Sequence, residues 1–468
     1  MGIALKRKGI ENFVLLEKGQ DVGGTWRENT YPGAACDIYS HLYSFSFAPN
    51  TEWSHKYSPQ PEILAYLRRC ADDFGIRPKV RFGQEVRIAT FDEARDLWRV
   101  TVASGEAFEA RHLVTACGQL NRPAMVRAKG IETFEGPQFH SALWRHDVDL
   151  AGKTVAVIGT GASAIQFVPE IAKTVGTLKL FQRTPPYVIP RSDRGYGPLE
   201  RRLFKAVPAL RQLYRARTWL TGETLFKALA GNPLLKFVLE QYAALHLKRQ
   251  VPDPALRAKL KPDYPIGCKR VLISDSYYPA LTRDNVQLVT EAVREITPTG
   301  VVTEDGVAHT VDVIIHGTGF AATDFLAPID ITGLAGQNLR AAWKDGAEAF
   351  LGITVAGFPN LYMLYGPNTN LGHNSIVYML ESQVAYILSA IEQAESAGAK
   401  AIALKPEVQA RYNAEMQQRL VKSVWAAGCH SWYTTESGKN TVNWPGPTHE
   451  YRRRTRKANL ADYTLMKA

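Results

Sequence analysis

The chain has 468 residues, of which 45% are hydrophobic and 22% are charged, and its formal net charge is +11. This length accommodates two or three domains with well-buried cores, and the composition is typical of a water-soluble globular protein. No apolar run reaches the roughly 18 residues of a membrane span, and the first residues lack the order of a secretory signal, so we expect no integral membrane segment.

The cysteines and the charges further limit the kinds of site and partner that we expect for this protein. None of the five cysteines forms a CxxC pair, which predicts no disulfide framework, no zinc or other metal site, and a reducing, cytoplasmic location. The positive charge suits anionic ligands such as nucleotides. The one dense basic cluster, at 452–457, is interpreted as a solvated surface, so no nucleic-acid partner is predicted.

The first 120 residues have the pattern of a dinucleotide-binding fold that begins part-way through its motif. Residues 3–8 resemble the end of a helix that stops at Gly9, and a buried strand at 13–16 ends in Glu17. The strand and glycine loop that would open this unit are missing from the pattern. Hydrophobic spacing further predicts one helix and four strands, at 60–74, 85–89, 98–102, 106–110 and 112–116.

A second dinucleotide-binding unit begins with a strand at 154–158 and continues as a helix to about residue 174. A strand at 178–182 follows, and a later strand at 311–315 runs into a tight turn at Gly319. Glycines allow the backbone to approach a pyrophosphate at a helix N-terminus, so the loop between the first strand and the helix is a predicted nucleotide site. Its predicted binding residues are Gly159, Gly161, Ala162, Ser163 and Ala164.

Residues 196–267 differ from both units because they are rich in leucine, alanine and arginine at helical spacing, with breaks at prolines. The sequence therefore predicts an α/β protein with two Rossmann-like domains and a helical insertion. The predicted division is 1–146 with 324–468 for the first domain, 147–195 with 268–323 for the second, and 196–267 for the insertion.

The residue at the end of the second strand of such a unit selects the nucleotide. In the second unit Arg183 and Thr184 suit the 2′-phosphate of NADPH, although a strand-end arginine in solvent is the alternative. In the first unit Glu17 suits the unphosphorylated ribose of FAD. The pair of predictions describes a flavoprotein that takes hydride from NADPH.

Two longer motifs point to a family. Residues 134–144 read FEGPQFHSALW, and residues 23–37 contain a GGTW turn, a YPG turn and then Asp37. These motifs resemble the FxGxxxHxxxW fingerprint and the second fingerprint of type I Baeyer–Villiger monooxygenases, and the resemblance extends over essentially the whole chain. The broader group includes flavin-containing and N-hydroxylating monooxygenases.

The resemblance implies an enzyme that uses FAD, NADPH and O2 to convert a ketone to an ester or lactone through a C4a-peroxyflavin. It implies Arg270 as the active-site arginine with Asp37 as its carboxylate partner, and His140 as a linker residue that couples domain movement to catalysis. The segment 366–370, reading GPNTN, would close over the flavin ring before a helix that starts near Ser375. Further cofactor contacts are expected from Gly23, Gly24, Thr25, Trp26 and Tyr43.

Two alternatives remain at this point. An N- or S-oxygenating flavin monooxygenase would take an amine or sulfide instead of a small apolar carbonyl compound. A non-catalytic NADP-binding remnant would account for the missing first loop, but the intact later motifs favour a start codon placed too late. The insertion and a C-terminal segment with Trp432, Tyr433 and Trp444 are expected to shape an apolar substrate pocket.

Overall fold

The computed structural model describes residues 1–429 and 431–467. Its strands are, in chain order, β1 Leu15–Glu17, β2 Val80–Phe82, β3 Val86–Asp92, β4 Leu97–Val102, β5 Ala107–Ala110, β6 Leu113–Thr115, β7 Gln138–His140, β8 Thr154–Ile158, β9 Thr177–Phe181, β10 Val188–Ile189, β11 Leu272–Ile273, β12 Val286–Val289, β13 Val293–Thr297, β14 Gly300–Thr303, β15 Ala308–Thr310, β16 Val313–His316, β17 Asp330–Thr332, β18 Leu361–Met363, β19 Ala399–Leu404 and β20 Tyr463–Lys467. Its α-helices are α1 Gly2–Arg7, α2 Thr25–Glu28, α3 Gln60–Asp73, α4 Ala164–Ile171, α5 Pro198–Ala206, α6 Pro208–Leu229, α7 Pro233–Gln250, α8 Pro254–Leu260, α9 Tyr277–Leu281, α10 Leu339–Ala342, α11 Ile376–Ser396, α12 Pro406–Val421 and α13 Thr448–Arg454. None of the helices in these ranges is long and apolar enough to cross a membrane.

The second unit is built on a five-stranded parallel sheet with the order β12-β9-β8-β16-β7. Strands β8 and β16 are almost entirely buried, as expected for apolar runs at the centre of a parallel sheet that is covered on both faces. The predicted strand, glycine loop and helix are confirmed, although the helix ends at Ile171 and not near residue 174. Strand β7 comes from the 134–146 linker, so the linker adds an edge strand to this sheet.

The first unit has two separate parallel pairs, β1 with β2 and β6 with β18. Among the described residues no strand joins the two pairs, and β1 is only partly buried along its length. A four-stranded sheet with the order β17-β3-β4-β5 lies in the same unit. Strands β17 and β18 bring residues beyond 324 back to the first unit, since they pair with β3 and β6.

The segment 196–267 contains helices α5 to α8, and each of these helices starts with a proline in its first turn, where a missing N–H costs little. Asn232 and Asp253 cap α7 and α8 through their side chains. Helix α7 packs into the core of the second unit through Leu247. Helix α6 reaches the first unit through Glu223, so the insertion connects both units.

Candidate active site

The GGTW turn of the first unit depends on its two glycines. Gly23 and Gly24 have φ values of +119° and +49°, a region that favours glycine. A side chain at Gly23 would also lie 2.5 Å from Leu64 Cδ1. Helix α2 starts directly afterwards at Thr25, and the Trp26 indole N–H donates to the Tyr43 hydroxyl at 3.1 Å. The turn and Tyr43, two parts of the predicted FAD site, are therefore joined.

Glu17 lies at the end of β1, as predicted, and its carboxylate is held in place. Oxygen Oε1 accepts hydrogen bonds from the Gly19 backbone N–H at 2.7 Å and from the Arg27 guanidinium at 3.1 Å. Because Arg27 belongs to α2, the strand end and the GGTW turn are tied together. The sequence did not predict a role for Arg27, because a single arginine next to a glycine turn is not a recognisable motif.

The YPG turn contacts the second unit through one side chain. The Tyr31 hydroxyl donates to Gln166 Oε1 at 3.0 Å, and the Ala35 N–H donates to the same oxygen at 3.3 Å. In return, Gln166 Nε2 donates to the Ala35 carbonyl at 3.0 Å. Gly33 has φ of +77°, and an added Cβ would lie 2.7 Å from the Gln166 carbonyl oxygen. Gln166 on α4 is thus a clamp between the two units.

Asp37 and Arg270 form an ion pair, as the resemblance implied. The guanidinium Nη2 contacts Asp37 Oδ2, and each side chain is 31% exposed, so the pair is only partly buried. The charge of Asp37 raises the pKa of Arg270, which stays protonated at any physiological pH. Tyr365 and Tyr433 lie near this pair. Burial raises the pKa of both hydroxyls, to about 12 for Tyr433, while the charge of Arg270 acts in the opposite direction.

The GPNTN segment is held against the C-terminal part of the chain. Asn368 Nδ2 donates to the carbonyls of Asn440 and Asn443 at 3.0 and 3.1 Å. The Tyr365 hydroxyl donates to Asn370 Oδ1 at 2.7 Å, which orients the phenol ring. Helix α11 follows at Ile376, which confirms the predicted helix start.

The glycine loop of the second unit leaves room for a ligand. Gly159 has φ of +106°, and a Cβ there would lie 2.5 Å from the Gly317 carbonyl oxygen. At Gly161, by contrast, an added Cβ would have only that oxygen within 4 Å, at a distance of 3.9 Å. The loop therefore packs closely on β16 at its first glycine and is open at its second, where a pyrophosphate would approach the start of α4.

Two cations lie at the edge of this loop. Arg183 is exposed, and no carboxylate in the described ranges forms a salt bridge with it. Lys269 is its neighbour, since burial and the charge of Arg183 together lower the pKa of Lys269. Thr184 is fixed by a hydrogen bond from the Thr160 hydroxyl to its carbonyl at 3.3 Å. Two close positive charges fit a phosphate group.

Other proteins are similar to this chain in sequence and in fold. Residues 1–197 match the family model described as pyridine nucleotide-disulphide oxidoreductase. A Baeyer–Villiger monooxygenase of Pseudomonas aeruginosa is 44% identical over 467 residues, which cover 99% of this chain and 89% of the relative. A crystal structure of a steroid monooxygenase bound to NADP superposes with a TM-score of 0.89 at 31% identity, covering 100% of this chain and 97% of the other. A structure of the monooxygenase OTEMO with FAD and NADP gives 0.89 at 29% identity, with 99% and 96% coverage.

The chain belongs to the Baeyer–Villiger monooxygenase family. The prediction of a flavin-dependent monooxygenase with FAD and NADPH as cofactors is confirmed at the level of this family, and so is the fold of two Rossmann-type domains.

His140 of the enzyme forms no hydrogen bond or salt bridge with Arg270 or Asp37. It ends β7 opposite His316 of β16, is 1% exposed, and accepts a hydrogen bond at Nδ1 from the Ala142 N–H at 3.1 Å. Burial lowers its pKa, and Nε2 has no partner among the residues described. The structure therefore brings Arg270 and Asp37 together and places His140 on the edge of the second unit's sheet, with Phe320 against its ring.

The C-terminal aromatic residues of the enzyme divide into two groups. Tyr433 is close enough to Arg270 for the charge of the guanidinium to act on its hydroxyl. Trp444 is fully buried in the core of the first unit and packs on Tyr451, so the prediction that it lines the pocket is wrong. A tryptophan in a polar segment looks the same in sequence whether its ring faces a cavity or the core.

One disulfide corrects the prediction drawn from the cysteines. Cys268 and Cys429 are bonded, with Cα atoms 6.1 Å apart and a sequence separation of 161. Cysteine spacing reveals local pairs such as CxxC, and this pair is formed only by the fold. It joins the loop that carries Arg270 to the segment that carries Tyr433. Cys36, Cys70 and Cys117 are free thiols.

Proposed function

We propose that this enzyme oxygenates small apolar ketones to esters or lactones and that Arg270 and Asp37 are its catalytic pair. The observation that carries this proposal is the ion pair itself, which joins residues 233 positions apart and leaves each side chain 31% exposed. A ligand can therefore contact both charged groups, which a fully buried structural ion pair would not allow.

The chemistry of the pair follows from its charges. The oxygen-transfer chemistry is supplied by FAD when bound, after hydride donation from NADPH. Nucleophilic attack on the carbonyl carbon of a ketone converts the carbonyl oxygen into an oxyanion. A permanently charged guanidinium beside that oxygen stabilises the negative charge as it develops, and Asp37 orients the guanidinium. The buried hydroxyls of Tyr365 and Tyr433 are neutral, so neither adds a negative charge that would oppose the guanidinium.

The cofactor sites are proposed from the residues around them. NADPH would lie across the loop 159–164 and the turn at Gly319, with its 2′-phosphate between Arg183, Thr184 and Lys269. FAD would lie along Glu17 and the residues 23–26, with its ring between Tyr43 and the ion pair. His140, a buried neutral histidine on β7, would act as a positioning residue, since its linker runs between the two units.

The division into an FAD domain (1–146 with 324–468), an NADPH domain (147–195 with 268–323) and an insertion (196–267) stays part of this proposal, as does a cytoplasmic location. Pairing of β17 and β18 with strands of the first unit supports the division. The structure of OTEMO, which contains FAD and NADP and is similar to this chain, supports the two cofactor sites.

The experiment compares Arg270→Lys and Arg270→Ala with wild-type enzyme. The purified protein should carry or take up flavin, seen as an absorbance band near ~450 nm, and convert cyclohexanone to its lactone faster than it oxidises dimethylaniline. Arg270→Ala should lose lactone formation by at least about 100-fold, the magnitude for removing one oxyanion-stabilising group. Arg145→Lys, which alters an exposed arginine–aspartate pair, is the matched control.

Three results would contradict the proposal. A colourless protein that gains no activity with added FAD would indicate a non-catalytic NADP-binding chain. Faster oxidation of the amine would indicate the N- or S-oxygenating class. Full lactone formation by Arg270→Ala would place the catalytic pair elsewhere.

A further inference from the structure

The helical insertion exposes an unusual amount of apolar surface. Of the 17 large hydrophobic residues that are exposed in the described ranges, 11 lie between residues 199 and 245, on or next to α5, α6 and α7. We call these 11 residues the insertion face. They are Leu199, Leu203, Val207, Leu210, Leu213, Leu220, Leu234, Phe237, Val238, Tyr242 and Leu245. Single exposed hydrophobic residues are common on proteins, but such a concentration marks a surface that contacts another apolar body.

On helix α7 the exposed apolar residues are regularly spaced. Leu234, Phe237, Val238, Tyr242 and Leu245 follow one another at intervals of three, one, four and three residues, and they are 44–69% exposed. That spacing places them along one side of the helix. The buried residues of α7, namely Ala243, His246 and Leu247, face the protein instead. Helix α7 therefore has an apolar side for the core and a second apolar side that faces solvent.

The same helices are strongly basic. Residues 198–250 contain ten lysines and arginines and three glutamates, which is a net +7 of the chain's +11. All three glutamates are engaged within the protein: Glu200 by Arg194, Glu223 by Thr448, and Glu240 by the Ile266 N–H. Six of the cations are exposed and form no salt bridge with any residue described. They are Arg202, Lys205, Arg217, Lys227, Lys248 and Arg249.

We infer that the insertion face docks on an anionic phospholipid membrane, with its leucines and Phe237 in the headgroup–acyl boundary and its free cations against lipid phosphates. Exposed apolar side chains combined with unpaired lysine and arginine are the features of an interfacial helix, and each cation near an anionic surface adds attraction. A second copy of the chain is the less favourable occupant, because residues 198–250 of each copy have a net charge of +7 and would repel each other.

Docking of this kind would place the enzyme where apolar compounds collect. Helix α6 lies directly against the segment after GPNTN, since a Cβ at Gly222 would be 2.6 Å from the His373 carbonyl oxygen. Helix α7 holds Ile266, four residues before Arg270, through Glu240. Helices α6 and α7, which carry most of the insertion face, thus contact the segment after GPNTN and the loop before Arg270. The delivery of an apolar ketone rests on the proposed function, whereas the docking itself does not.

The test is flotation of the full-length protein with vesicles of phosphatidylcholine alone or with a third of phosphatidylglycerol. We expect binding to the anionic vesicles and its decrease as salt is raised. Leu234→Ser with Phe237→Ser should lower the bound fraction by at least about tenfold, because two large apolar side chains no longer enter the bilayer. Lys248→Glu with Arg249→Glu should weaken binding to anionic vesicles only.

The matched control is Val421→Ser, which removes an exposed apolar side chain on α12, outside the insertion face, and should leave binding unchanged. Turnover of a water-soluble ketone should be the same in all variants, which separates this test from that of the proposed function. Absence of vesicle binding would overturn the inference. The inference would also be overturned if light scattering showed a dimer and the variant Leu234→Ser with Phe237→Ser were a monomer. The insertion face would then serve self-association.

Discussion

The clamp at Gln166 allows a quantitative prediction about how the two units hold each other. Gln166→Met keeps the length of the side chain and removes three hydrogen bonds, those with the Tyr31 hydroxyl and with the Ala35 N–H and carbonyl. Each such bond contributes about 0.5–1.5 kcal/mol net, so the loss should be about 2–4 kcal/mol. For a chain of 468 residues the unfolding entropy is roughly 1 kcal/mol per kelvin, which converts the loss to a Tm decrease of about 2–4 °C.

Calorimetry of four proteins would test this: wild type, Gln166→Met, Tyr31→Phe and the double variant. Tyr31→Phe removes one of the three bonds and should lower Tm by about 1 °C. The double variant should lose less than the two single losses combined, because both single changes remove the same Tyr31–Gln166 bond. The KM for NADPH should rise in Gln166→Met, since α4 also carries the glycine loop. An unchanged Tm, or strict additivity of the two changes, would refute the clamp.

Three further predictions concern other parts of the molecule. Arg183→Ala and Lys269→Ala should each raise the KM for NADPH by about 10- to 100-fold, the value of a charge-assisted phosphate contact, and leave the KM for NADH unchanged. Steady-state kinetics with both nucleotides measures this, and an equal rise for NADH would place the phosphate elsewhere. Burial acts to raise the pKa of Glu223, but hydrogen bonds from Thr448, His449 and Asn374 outweigh it and keep the pKa below its ordinary value. The stabilisation is therefore complete above the unfolded-state pKa of about 4.3 and is lost as pH falls through the folded-state pKa, so protease cleavage within 196–267 should increase below about pH 4. Glu223→Gln should be cleaved readily at neutral pH as well, with a flatter pH profile; an unchanged profile would count against the role of this carboxylate. Cys429→Ser should lower stability by about 2–4 kcal/mol under oxidising conditions and should match wild type in the presence of a dithiol reductant. A difference that persists after reduction would mean that the serine acts in some other way, and Cys117→Ser, at a free and exposed thiol, is the control.

Local patterns in the sequence determined much of the fold. The buried runs that became β8 and β16, the glycine loop before α4 and the helices of the insertion were all predicted, because each depends on side-chain periodicity and backbone conformation within a few residues. The family motifs went further and singled out Arg270 and Asp37, which lie 233 residues apart in the chain. These two residues were predicted as partners through the resemblance, not through any local pattern.

Only the tertiary structure decided which side chains meet and which surfaces stay exposed. The Gln166 clamp, the Arg183–Lys269 pair and the Cys268–Cys429 bond each join residues from different elements, and a single sequence contains no signal for such distances. The same holds for Trp444, which lies in the core, and for the insertion face, whose leucines show only helical spacing in the sequence. Periodicity identifies the sides of a helix, but the packing of the remaining chain determines which side is covered, and on α7 it leaves one apolar side in solvent.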